Sequence, residues 1–215
     1  VERITPKTTT IRRVKPGAPE LKVIALYAAK DSTRHAINAV YYTDDGRLIA
    51  TDGRRLIAVQ PTAISIPYNL TRGTLYSVSK QGIPSKGPEG KFPNFDDVIP
   101  QSPKSIGVLS LSQANQLVST LKATIKGNYL KASLAGFTLV FNGYHLNATY
   151  FTDALNSLLQ LGCDEISISG IEPLKPILFT GSLQGKLQAK VVVMPKKPDT
   201  YRACLDIIQD ISENS

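Results

Sequence analysis

Two histidines, two cysteines and two adjacent aspartate pairs are the natural places to look for chemistry in this 215-residue chain. His35 and His145 stand far apart and belong to no cluster with metal-ligand spacing. Cys163 and Cys204 show neither metal spacing nor a disulfide framework. Asp44-Asp45 and Asp96-Asp97 are poor acid/base dyads, because neighbours on an extended chain point to opposite faces. Asp44-Asp45 reads as turn chemistry and Asp96-Asp97 as a solvated connector. No glycine-rich dinucleotide loop, phosphate-binding P-loop or nucleophile elbow occurs. Asn69-Leu70-Thr71 fits a glycosylation sequon but carries little meaning without a secretory signal. The residue types therefore point to binding, not to an enzyme, and imply no cofactor and no metal.

Charge says more. With 25 basic and 17 acidic residues the net charge is +8, which favours a polyanionic partner, chiefly nucleic acid. The excess is spread along the chain and forms no arginine-rich tail, so a footprint would be a folded surface. Hydrophobic residues make up 42%, enough to bury a core. No run of about 18 apolar residues suggests a membrane span. Val1-Glu2-Arg3 lacks a signal pattern, so a reducing cytoplasmic setting is expected.

The elements that must position these residues can be read from periodicity. Residues 19–35 predict a helix with Leu21, Ile24, Ala25, Ala28 and Ala29 on one face. Ala39 to Tyr42, Arg47 to Thr51 and Arg54 to Gln60 predict a three-stranded meander, turning at Asp45-Gly46 and Asp52-Gly53. Residues 61–90 are rich in Pro and Gly and offer no helix. Ser110 and Gln113 form a capping box for a helix whose stripe is Leu111, Ala114, Leu117, Val118 and Leu121. Strands are expected at 129–135, 137–142 and 145–150. A helix follows from Thr152 or Asp153 to Leu161, stopped by Gly162, and then strands at 164–169, 176–182 and 186–194. Tyr201, Cys204, Leu205, Ile208 and Ile211 predict a short amphipathic helix in the tail. Helices and strands in this order predict an α+β fold.

Four segments carry a resemblance. Ala50-Thr51-Asp52-Gly53-Arg54-Arg55-Leu56 resembles an Ala-Thr-Asp-Gly-His-Arg-Leu turn, with Arg54 in place of the usual His. Lys91-Phe92-Pro93-Asn94-Phe95-Asp96-Asp97-Val98-Ile99-Pro100 resembles a Phe-Pro-Asp-Tyr connector with a Leu-Pro ending. Val192-Val193-Met194-Pro195 is similar to a closing Val-Val-Met-Pro, and Asn147 to Leu158 to an entry strand and second helix. All four, in their order along the chain, resemble the bacterial DNA polymerase III β subunit, the sliding clamp.

That resemblance implies a DNA-clamp-like fold of two lobes, each with helices packed on antiparallel sheet. Residues 1–90 would be a reduced lobe like the middle clamp domain. Residues 91–103 would be a connector, 104–197 a lobe like the last clamp domain, and 198–215 an amphipathic tail. It also implies an inter-lobe pocket that takes a short hydrophobic peptide from polymerase, clamp-loader or repair proteins. Its lining would be Ile37, Thr51, Gly53, Arg54, Arg55 and Leu56, then Pro93, Asp97 and Val98, then Val192, Val193, Met194 and Pro195. Read from the residues alone, the same apolar positions fill the seam between lobes. Duplex DNA would be held without sequence preference by Lys22, Lys30, Arg34, Lys122 and Lys126 on the helices, through phosphates. A homo-oligomeric ring is conceivable, although the first lobe is short for it. A DNA-binding module that forms no ring, and a decoy or regulator of clamp interactions, are the alternatives. The tail is expected to pack near the pocket.

Overall fold

A computed structural model describes residues 18–31, 33, 35–60, 68–128, 138–197 and 204–206. Helix α1 (Pro19–Ala25) starts on a proline, whose missing amide hydrogen costs nothing in the first turn. The predicted helix over 19–35 ends early. The amides of Leu26, Tyr27 and Ala28 turn to acceptors three residues back, and Ala29 N donates to Ile37 O at 2.8 Å. The Leu26 carbonyl accepts from the Arg55 guanidinium at 3.0 Å.

The meander follows as β1 (Val40–Tyr42), β2 (Leu48–Thr51) and β3 (Arg55–Val59). The glycine- and proline-rich stretch holds two strands that periodicity does not reveal, β4 (Thr74–Val78) and β5 (Pro84–Lys86). Gly82 (φ +79°) allows the turn between them to meet α1. A Cβ there would come within 2.3 Å of the Ala18 carbonyl oxygen.

Strand β6 (Lys104–Ser110) leads into α2 (Leu111–Asn128). The capping box forms as expected, with Ser110 N donating to Gln113 Oε1 at 2.9 Å. Ala114, Val118 and Leu121 are buried, but Leu111 is exposed and drops out of the predicted stripe. Strands β7 (Thr138–Phe141) and β8 (Tyr144–Asn147) form a hairpin. The strand expected at 129–135 lies outside the described residues. Helix α3 (Ala148–Gln160) begins earlier than Thr152, because the Asn147 side chain accepts from Thr149 N and Tyr150 N. Gly162 (φ +81°) closes it. Strands β9 (Glu165–Gly170), β10 (Ile177–Leu183) and β11 (Lys186–Val193) match the last three predicted strands.

The described part of the tail differs from the sequence expectation, while Tyr201, Ile208 and Ile211 lie outside the described residues. Cys204–Asp206 is a strand, β12, paired in parallel with β7, and not part of a helix. The outer edge of β7 offers unpaired backbone groups, and satisfying them outweighs a weak helical pattern. Before it, Lys196 N donates to His145 O at 2.7 Å, so the chain touches β8 as well.

Among the described residues the strands assemble into a nine-stranded antiparallel sheet, β5-β4-β1-β2-β3-β11-β10-β9-β6, and a three-stranded sheet, β12-β7-β8. The β3–β11 pair joins the two expected lobes into one sheet, with Leu56 opposite Val192 and Arg55 opposite Val193. On one face, α1, α2 and α3 and the β7–β8 hairpin enclose the main core, which includes Tyr27, Ile57, Leu121, Leu155, Phe151 and Phe179. On the other face a smaller apolar cluster gathers Ile49, Leu56, Ala58, Leu178 and Val192 under Phe92 and Ile99 of the connector. The helices lie on one side and the connector on the other. This α+β arrangement has the clamp-like form expected from the sequence.

Candidate functional site

The Thr51–Leu56 segment is built by backbone rules that its residues satisfy. Gly53 sits at φ +84°, a conformation that favours glycine. The Asp52 carboxylate accepts from Arg54 N at 2.9 Å and Arg55 N at 3.0 Å. Thr51 Oγ1 donates to Arg55 O at 2.8 Å and accepts from Gly53 N at 3.1 Å. Its hydroxyl is therefore used within the turn.

Strand alternation then divides the proposed lining between two faces. Thr51, Leu56 and Val192 face the connector side, and Ile37, half-buried, packs against the same cluster. Met194 N donates to Arg54 O at 2.9 Å, so pairing continues one residue past β11 and places Met194 on the Val192 face. Leu56 is 3% exposed and Val192 1%, whereas Met194 and Val98 are each 40% exposed. The buried pair forms a floor. Met194, two residues beyond Val192, and Val98, in the connector, are exposed apolar side chains, with Gly53 and Arg54 exposed at the turn. Pro195 is half-buried, and Pro93 and Asp97 are exposed, with Asp97 held by Asn94 Nδ2 at 2.6 Å.

Arg55 and Val193 fall on the opposite face, which corrects their place in the lining. Val193 lies in the main core. Arg55 bonds Asp52 at 3.0 Å, Asp153 of α3, and the Leu26 carbonyl. Its guanidinium lies over the Tyr27 ring at 4.9 Å and the Tyr150 ring at 4.6 Å. Burial alone would lower its pKa, but the hydrogen bond and charge of Asp153, joined by Asp52, raise it. The Tyr27 hydroxyl lies 3.2 Å from both the Asp153 carbonyl and Ser157 Oγ, and burial pushes its phenol above the ordinary range.

The connector is fixed by contacts that the sequence does not reveal. Phe92 stacks on Tyr41 at 5.1 Å and meets Phe95 edge-on. Arg47 lies over Phe95 at 4.9 Å and pairs with Asp96 at 3.1 Å. Tyr41 stands opposite Ile49, and Leu178 opposite Val192, in the sheet beneath this connector.

Of the basic residues assigned to DNA, Lys22, Lys122 and Lys126 are exposed on the helix layer. Lys122 Nζ donates to Asn156 Oδ1 at 2.8 Å, linking α2 to α3. Lys30 is exposed beyond the end of α1, and Arg34 lies outside the described residues. Among the described residues no group of three or more His, Cys, Asp or Glu could hold a metal ion. No described helix is long and apolar enough to cross a membrane.

A continuous antiparallel sheet with helices on one face and a docked connector on the other defines a clamp-type fold. Solved structures show the same architecture. The C. crescentus β sliding clamp is similar at a TM-score of 0.59 and 17% identity, over 90% of this chain and 68% of that one. The DNA polymerase β subunit of Streptococcus pyogenes is similar at 0.62 and 11%, over 90% and 68%. The Helicobacter pylori β clamp, bound to a DNA ligase peptide, is similar at 0.55 and 16%, over 89% and 69%. The chain thus has the fold of DNA polymerase III β sliding clamps and spans about two thirds of their length. No protein-family model and no curated protein matches the sequence.

Proposed function

We propose that this chain is a clamp-like accessory factor of DNA replication or repair. It docks a short hydrophobic peptide of a polymerase-type partner on the connector face of the sheet. It is not an enzyme. The observation that carries the reading is the strip itself. Exposed Met194 and Val98 lie on the connector face, where Leu56 and Val192 are packed beneath Phe92 and Ile99, on a fold shared with clamps. Met is suited to such a surface because its side chain adapts to different partners. Arg54, exposed at the turn, offers a cation to a peptide carboxylate. The helix face holds duplex DNA through phosphates, by Lys22, Lys30, Lys122 and Lys126.

The test is a titration with a DNA ligase peptide like the one bound by the Helicobacter pylori clamp. Binding is expected, and Met194→Asp should remove it. Met194 is the suitable position because it is 40% exposed, whereas Leu56→Asp would place a charge at a site only 3% exposed and threaten the fold. No binding at millimolar peptide overturns the reading.

The variant of this function that forms no ring is favoured by one observation. Strand β12 already occupies the outer edge of β7, which removes that edge, but not those of β5 and β6, from pairing with another copy.

A further inference from the structure

We propose that Arg55 is a positioning residue for the docking strip: it braces the Asp52-Gly53 turn against α3, so that the strip is held ready on one face by contacts made on the other. This role rests on the docking reading above.

Strand alternation sets the two faces apart. Leu56 contributes the floor of the strip, and Arg55, one residue earlier, emerges on the helix side of the sheet. An arginine presents a planar fork of donors, and here the fork is used in three directions. Nε meets Asp52 Oδ2 at 3.0 Å, Nη1 meets the Asp153 carboxylate on α3, and Nη2 meets the Leu26 carbonyl at the end of α1 at 3.0 Å. The rings of Tyr27 and Tyr150 lie within 4.9 Å and 4.6 Å of the guanidinium carbon and fix its plane. The side chain is only 10% exposed, so the pairing is weakly screened by solvent.

Asp52 is the link to the strip. One carboxylate oxygen holds Arg55 while the other accepts the amides of Arg54 and Arg55. Those bonds set the turn that carries Gly53 and Arg54. The Arg54 carbonyl then holds the Met194 amide. A chain of direct bonds thus runs from α3 through Arg55 and Asp52 to the backbone of Met194. If the turn loosens, the docking-competent geometry is populated less, and apparent affinity falls by that fraction although every group that touches the peptide is still present.

Arg55→Lys keeps the charge but cannot make the three forked bonds. Asp153→Asn keeps the shape of α3 and weakens only the far end of the brace. Both variants are compared with the full wild-type chain by titration with the ligase peptide and by hydrogen exchange at the amides of Gly53, Arg54, Arg55 and Met194. The expected result is faster exchange at these amides in both variants, together with peptide affinity lower by about tenfold in Arg55→Lys and by less in Asp153→Asn. Should Arg55→Lys fail to fold, Asp153→Asn carries the test alone, since Asp153 is 36% exposed. Faster exchange with unchanged peptide affinity overturns the positioning role and leaves the docking reading standing. Unchanged exchange in a folded variant also overturns it. A wild-type chain that binds no peptide overturns the docking reading, and this role with it.

Discussion

Adjacent residues on β3 illustrate how one-residue differences in phase divide the work of this molecule. Leu56 is part of an apolar floor on the connector face, and Arg55 is a staple on the helix face. The same phase separates Val192 from Val193. The recognisable Thr51–Leu56 and Val192–Pro195 segments are legible as strings, but a string does not say which of its members point together. Strand periodicity does say so, since residues one apart face opposite ways. What no local pattern can supply are the distant partners of Arg55, namely Leu26, Tyr150 and Asp153. Tight packing at single residues is testable. Gly181 lies at a register shift in β10, where a Cβ would stand 2.5 Å from Cys163 Sγ and 2.8 Å from Leu158 Cδ2. Gly181→Ala should therefore destabilise the chain by about 1–3 kcal/mol in urea unfolding. An unchanged midpoint would mean that α3 sits less tightly on the sheet than described.

At the level of elements, strong local signals are sufficient where the chain also uses them locally. The Ser110–Gln113 capping box forms, and the three strands after Gly162 fall where alternation puts them. The helical pattern of α1 runs too long because its apolar spacing continues to Ala29, while the Leu26 carbonyl is claimed by a residue 29 positions away. Strands β4 and β5 are hidden by glycine and proline. They exist because β1 and the β4 edge offer backbone partners that composition does not reveal. The tail strand escapes a local reading for the same reason. For the helix layer, the proposed duplex contact gives an expected outcome. Lys122→Ala together with Lys126→Ala should make the slope of log affinity against log salt less negative by roughly 2, at about 0.9 for each phosphate no longer neutralised. A slope equal to wild type would assign both lysines to solvent.

For the whole molecule, the nine-stranded sheet ends in β5 on one side and β6 on the other, and the second sheet is closed at β7 by the chain's own β12. An uncovered strand edge recruits other chains. Deleting 198–215 should therefore expose the β7 edge and shift sedimentation toward larger species as concentration rises, relative to the full chain. Identical sedimentation of the two would show that β12 protects nothing. The clamp fold is legible from four short segments in order, and the solved structures share it at 11–17% identity. The central claim, that the connector face docks a peptide, is tested most directly by titrating the ligase peptide into the wild-type chain and into Met194→Asp. Saturable binding by the wild type is predicted, with at least about tenfold weaker binding by the variant, at equal thermal stability. Absence of wild-type binding at millimolar peptide, or equal affinity of the two chains, would contradict the claim.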